Sequence, residues 1–207
     1  MRPESFRPPL TLEGRFIRLV PLDRTHRIPL HEVGADPEVI RYLLNGPGMT
    51  LGELDSFLDV LQSRQTDGTD LAFTTLRASD SRPVGMTRFL HVDRKNESVE
   101  IGGSWLGRAW WRTPFNTEAK FLLMRHAFEV EGVHRVSLQT DLRNERAQRA
   151  IERLGANREA VLREDRLLPG GYYRSSVFYS ILQEEWPRIR AGLEQKLALP
   201  WSAPEDR

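Results

Sequence analysis

The order of apolar and polar positions along the chain predicts a sheet-forming half followed by an alternating one. Phe16 to Val20 reads FIRLV, an apolar-basic alternation that suits a half-buried strand. Leu54, Phe57, Leu58 and Leu61 recur at three- and four-residue spacing, which predicts one buried helix face. Three strands follow at Leu71 to Arg77, Val84 to Asp93 and Val99 to Leu106, with turns at Asp80-Ser81 and Asn96-Glu97. This is an antiparallel meander. The pattern then changes to a helix from about Thr117 to Glu131, a strand from Arg135 to Thr140, a helix from Glu145 to Leu154, and a strand near Ala160 to Arg163. Tyr172 to Leu182 predicts a long last strand. Trp186, Ile189, Leu193 and Leu197 form the apolar stripe of a C-terminal helix at about 184–198. The sum is an α/β (α+β) protein with a central mixed, mostly antiparallel sheet and helices on both faces.

Local chemistry sets the punctuation. Asp23 suits a helix cap, with the helix interrupted by Pro29, and Asp36-Pro37 starts another helix with proline at its first position. Asn45-Gly46-Pro47-Gly48 and Pro169-Gly170-Gly171 read as turn and loop. Thr50 and Glu53 have the spacing of a capping box. No repeat or low-complexity tract divides the chain, so residues 1–207 are expected to form one domain with a frayed tail at 200–207.

Composition narrows the classes of function. Apolar residues make up 39 % of the 207, enough for one core, and no run of about 18 apolar residues exists to span a membrane. The N-terminus lacks the apolar centre of a secretion signal, which gives a cytoplasmic expectation. Lys plus Arg (30) and Asp plus Glu (29) nearly cancel, which argues against a nucleic-acid partner. There is no cysteine, and the five histidines show no ligand spacing, so no metal site is expected. His31-Glu32 is followed by Ala35 where a zinc helix needs histidine, and Gly102-Gly103-Ser104-Trp105-Leu106 lacks the last glycine of a nucleophile elbow.

The informative stretch runs from Val99 to Gly155. Thr113 suits an N-cap with Pro114 at the first helical position, and the free first-turn amides of such a helix attract anions. Asn144 suits the cap of the next helix, whose apolar face is Ala147, Ala150, Ile151 and Leu154, and Gly155 suits its C-terminal stop. Val99-Glu100-Ile101-Gly102, Asn116-Thr117-Glu118-Ala119, His134-Arg135-Val136 and Asn144-Glu145-Arg146, together with Leu12-Glu13-Gly14-Arg15 and Glu185-Trp186-Pro187, resemble the GNAT superfamily of acyltransferases. The likeness is to the branch that includes ribosomal-protein N-terminal acetyltransferases.

The resemblance implies acetyl-coenzyme A as co-substrate and an amine as acceptor. It places the pyrophosphate at Trp111 to Thr117, with Arg112, Phe115, Asn116 and Thr117 as contacts. The pantetheine arm then runs along Ser104, Trp105 and Leu106 and meets Asn144. The two glycines usual in the phosphate loop are replaced by Pro114 and Asn116, so restoring a glycine at 114 is expected to return a donor to the phosphate. Arg143, Arg146 and Arg149 either meet the ribose phosphate or form a solvated face; Arg149 is the candidate contact. Gly102-Gly103 permits a bulge that splays the sheet for the cofactor. Glu100, pointing away from Val99 and Ile101, is either the general base or an outer-face carboxylate. The usual general-acid positions are Ala147 and Ile151, which cannot donate a proton, leaving Tyr172 or Tyr173 as substitutes. The resemblance also implies acceptor loops at 34–65 and 167–173, which makes Tyr172 and Tyr173 candidate substrate contacts, while Trp105, Trp110 and Trp111 line the acceptor pocket, form a homodimer contact, or belong to the core. The alternative to an enzyme is a non-catalytic acyl-coenzyme A-binding member of the family.

Overall fold

A computed structural model describes residues 6–43, 50–168 and 171–201. Eight strands form one sheet in the order β1-β2-β3-β4-β5-β6-β8-β7. They are β1 (Leu12–Glu13), β2 (Ile17–Pro21), β3 (Leu71–Arg77), β4 (Pro83–Asp93), β5 (Ser98–Leu106), β6 (Arg135–Asp141), β7 (Asn157–Leu168) and β8 (Tyr172–Leu182). Every neighbouring pair is antiparallel except β5 and β6. These two pair in parallel only over Ser98–Arg135, Val99–Val136 and Glu100–Ser137. Beyond Glu100 they share no further ladder pairs, so the sheet is splayed there.

The helices divide between the two faces. On one face α1 (Arg27–Gly34), α2 (Pro37–Ile40) and α3 (Leu51–Thr66) cover a cluster of Leu30, Val39, Leu61, Ala72, Met86 and Trp105. On the other, α4 (Phe115–Arg125), α5 (Glu145–Leu154) and α6 (Trp186–Ala198) cover a larger core that includes Val99, Ile101, Leu122, Ile151, Tyr179 and Ile189. The stripe read from the C-terminal helix packs as expected, with Trp186, Ile189 and Leu193 buried and Leu197 against the core. Thr50 and Glu53 form the reciprocal capping box of α3, which buries Leu54, Leu58 and Leu61 and half-buries Phe57.

Several boundaries differ from the sequence reading. Pro29 does not interrupt its helix, because it lies in the first turn of α1, where the amide has no intrahelical partner. The helix expected at Thr117 to Glu131 begins at Phe115 and ends in a π-helical turn, His126–Val130. Strand β7 is much longer than Ala160 to Arg163. Its side chains are mostly solvent-exposed and half of them are charged, so apolar alternation cannot mark it, and its backbone pairing with β8 fixes its length. Leu12–Glu13 forms a short strand with no pattern of its own. The turn at 45–48 and the first two positions of the 169–171 loop lie outside the described residues, as do 202–207 of the tail.

Two of the sequence motifs meet in space. The buried carboxylate of Glu118, in the first turn of α4, accepts the backbone amides of Arg15 (2.7 Å), Phe16 (2.7 Å) and Ile17 (2.8 Å). Gly14 makes room for it, since a Cβ there would lie 2.6 Å from the carboxylate carbon. The turn between β1 and β2 is thereby tied to the helix that opens the site.

Candidate active site

The splay between β5 and β6 opens into a cavity of about 870 Å³, lined from both faces of the sheet. Its size falls within the usual range for small-molecule and cofactor sites. Two irregularities in the pairing of β4 with β5 shape it. Met86 and Arg88 of β4 face Trp105 and Gly102 of β5, so β5 carries one extra residue across Gly103-Ser104. Gly103 takes φ +55°, and a Cβ there would lie 2.6 Å from Arg88 Nε. The bulge expected at Gly102-Gly103 is therefore present, and glycine meets both its conformation and its crowding. The second irregularity adds a residue on β4 between Leu90 and Asp93, where His91 has φ +53°.

Glu100 lies between these two bulges and is the last residue of β5 paired with β6. Its neighbours Val99 and Ile101 enter the core, and its own buried side chain turns the other way and lines the cavity. Gln139 Nε2 donates to both carboxylate oxygens at 3.0 Å, and His91 Nδ1 lies 3.0 Å from Oε2. The hydrogen bond to Glu100 raises the His91 pKa above its ordinary 6.5, since the carboxylate favours the imidazolium.

At the other end of the cavity, α4 presents its N-terminus. The first intrahelical bond runs from Glu118 N to Pro114 O (2.8 Å), which leaves the amides of Asn116 and Thr117 ahead of it. Both residues line the cavity, as do Arg112, Thr113 and, across the splay, Asn144 and Arg149. Asn144 caps α5, accepting from Ala147 N at 3.1 Å, and Gly155 ends that helix in the left-handed region. Trp111 also lines the cavity, and the guanidinium of Arg146 stacks 3.4 Å from its ring centre. An anionic group at this end would find free amides, a helix N-terminus and several arginines.

The sequence-derived candidates separate into two groups. Glu100, Ser104, Trp105, Leu106, Trp110, Trp111, Arg112, Asn116, Thr117, Asn144 and Arg149 all line the one cavity. Phe115 does not. Its ring is buried against Trp110 at 5.2 Å between centroids, and its amide is directed to Thr113 Oγ1 at 3.3 Å. The helix begins there, with Pro114 rather than Thr113 at the cap position. Tyr172 and Tyr173 lie outside the lining, exposed at the end of the β7–β8 hairpin, with Arg143 over the Tyr172 ring at 3.6 Å. Ala147 and Ile151 do line the cavity and carry no proton donor.

Among the polar lining residues that sequence reasoning missed are Arg88, His91, Lys120, Gln139 and Arg174. Lys120 is buried inside α4 and donates to Thr87 Oγ1 (3.2 Å) and to Ser104 Oγ at the bulge. Burial lowers its pKa from 10.5 to about 7. The one available signal was a lysine inside the apolar run of FNTEAKFLLM. Of the others, Arg88 and His91 lie on β4, Gln139 on β6 and Arg174 on β8, and only the sheet register brings these strands together.

Comparison with known proteins agrees with this geometry. Residues 17–157 match the family model described as "Acetyltransferase (GNAT) domain". A Bacillus subtilis (strain 168) protein named "Putative ribosomal N-acetyltransferase YdaF" is 31 % identical over 107 residues, which is 52 % of this chain and 57 % of that protein. The match thus spans a little more than half the length of that relative. Among solved structures, a "putative acetyltransferase" from T. thermophilus is 39 % identical, with a TM-score of 0.85 over 93 % of this chain and all of the other. A GCN5-related N-acetyltransferase from Brucella melitensis is 27 % identical, with a TM-score of 0.86 over 94 % of this chain and 88 % of the other. Among the described residues, no helix is long and apolar enough to cross a membrane.

Proposed function

The chain belongs to the GNAT acetyltransferase family, and from that premise we propose that it moves an acetyl group from acetyl-coenzyme A to a primary amine, by direct attack while both substrates are bound. The observation that carries this reading is the position of Glu100, a buried carboxylate held by Gln139 and His91 where β5 and β6 part. Bound acetyl-coenzyme A supplies a thioester carbonyl open to attack by a neutral amine. Glu100 takes the proton that the amine nitrogen must lose, directly or through one water.

The donor set at the other end fits the co-substrate. The amides of Asn116 and Thr117, with Arg112 and Arg149, receive its phosphates, and Ser104 to Leu106 line its arm. Departure of the thiolate needs no dedicated acid near neutrality, since a thiol has a pKa of about 8.5. This is consistent with Ala147 and Ile151 at the positions where relatives carry a proton donor. The names of relatives such as the B. subtilis protein make a protein N-terminus one acceptor to try. Thiol release from acetyl-coenzyme A with a panel of primary amines tests the proposal. Initial rates that give intersecting double-reciprocal lines support direct transfer. Parallel lines point to a covalent acetyl-enzyme instead, and cofactor binding with no thiol release on any amine leaves only a binding protein.

A further inference from the structure

We propose that the part of the cavity beside Glu100 is a binding site for a carboxylate on the acceptor amine, held by Arg88 and Arg174. This rests on the acetyl-transfer reading above and names the substrate class of the same site. Arg174 is only 3 % exposed yet lines the cavity. Its side chain makes no hydrogen bond or ion pair among the described residues, and its Nε is buried without a partner. A guanidinium is strongly disfavoured in such a place unless something pairs with it. Arg88, 8 % exposed and also in the lining, donates from Nη1 to Asp70 at 3.2 Å but leaves its Nε unpartnered.

No neighbouring carboxylate hydrogen-bonds to Arg174, although Asp141 and Asp165 act on it electrostatically and Asp165 Oδ1 is itself buried without a hydrogen-bond partner. Asp141 takes both its oxygens to Arg143, at 3.0 and 2.7 Å. Asp70 serves Arg88 and, at 3.7 Å, Arg64. Asp165 faces Arg166 at 3.5 Å. Glu100 is held by Gln139 and His91 and acts electrostatically on both Arg88 and Arg174. Desolvation lowers the pKa of each arginine, a sign that each is held short of full compensation.

These positions follow from the register. Gly102 pairs with Arg88 across β4 and β5, Glu100 is two residues away on the same face, and Arg174 precedes Ser176, the partner of Asp141. An amino acid or an acidic peptide that places its carboxylate on these planar forks directs its nitrogen toward Glu100. Arginine suits a carboxylate because its paired N–H groups match the two oxygens.

The experiment compares kcat/KM for matched acceptors: β-alanine against propylamine, and the peptides Ala-Glu-Ala and Ala-Gln-Ala, both amidated at the C-terminus. Wild-type protein is expected to prefer the carboxylate member of at least one pair by about ten- to a hundredfold. Which pair responds tells a small amino acid from a peptide. Arg174→Met is expected to bring that ratio near one without lowering Tm, and Arg174→Lys to restore part of it. No preference in either pair overturns the proposal. So does a drop in Tm for Arg174→Met with the ratio kept, since Arg174 would then be a structural partner of Asp165. Phosphoethanolamine preferred over β-alanine by tenfold overturns the carboxylate assignment. Should no amine be acetylated, the acetyl-transfer reading fails, and direct binding decides the inference. Calorimetry of N-acetyl-β-alanine with the coenzyme A-bound protein must then show at least tenfold tighter binding to wild type than to Arg174→Met; equal binding overturns it.

Discussion

Gln139 Nε2 donates to both carboxylate oxygens of Glu100, at 3.0 Å each, across the point where the parallel pairing of β5 and β6 stops. The amide fixes the carboxylate on the cavity side. Glu100→Gln keeps the shape and removes the proton acceptor, so acetyl transfer is expected to fall by about 100-fold or more. Acetyl-coenzyme A at about 100 times its dissociation constant is still expected to add about 2.7 kcal/mol of stability in this variant. Unchanged turnover on a validated amine would remove Glu100 from the mechanism.

His91 gives a pH signature. Its folded pKa is raised by the hydrogen bond to Glu100, so the pair stabilises the fold fully below the unfolded value near 6.5. That contribution is lost as pH rises through the higher folded value. Melting curves from about pH 5.5 to 9 should show His91→Gln below wild type at the acid end, with the gap closing as pH increases. A gap that widens with pH would contradict the pairing.

Lys120 has the opposite sign. Its pKa of about 7 lies below the unfolded 10.5, so the unfolded chain binds the proton more tightly. Stability lost to this residue is greatest below pH 7 and is recovered as pH rises from about 7 to 10.5. Lys120→Met is expected to raise stability near pH 7 by on the order of 1–3 kcal/mol, about 2–4 °C in Tm per kcal/mol, with the difference fading toward high pH. A variant that melts lower than wild type at pH 7 would show that the bonds to Ser104 and Thr87 outweigh desolvation.

Glu118→Ala strips three backbone amides of their acceptor at once. Urea unfolding is expected to show a loss of about 3 kcal/mol or more, since each buried donor left unpaired costs about 1–3 kcal/mol. Gly14→Ala, which crowds the same carboxylate, should destabilise in parallel, and the double variant should lose less than the sum. Additive losses would mean that the two sites do not share this contact.

Pro114 reads differently in the fold than in the sequence. It is absent from the cavity lining, although Thr113 and Asn116 on either side belong to it. A donor restored at 114 therefore does not face the cavity. Pro114→Gly is expected to change coenzyme A affinity less than twofold and to cost about 0.5–1 kcal/mol through the freer unfolded chain. Markedly tighter binding in calorimetry would put the 114 amide back at the pyrophosphate.

What the sequence by itself determined is what local chemistry decides. The start of α3 follows from Thr50 and Glu53, both ends of α5 from Asn144 and Gly155, and the bulge from Gly102-Gly103. The spans of β3 and β8 follow from runs of strand-forming residues bounded by turns, and within any strand the side chains repeat every second residue. The orientation of Glu100 away from Val99 and Ile101 follows from the same period. The tertiary structure alone decided what surrounds that carboxylate. His91 reaches it through a bulge with positive φ on β4, and Gln139 from a strand that a whole helix separates from β5. Contacts of that kind depend on register between distant segments, which no local pattern encodes. The same holds for Phe115, which the family resemblance offered as a cofactor contact. Packing against Trp110 and the bond of its amide to Thr113 took it into the core instead.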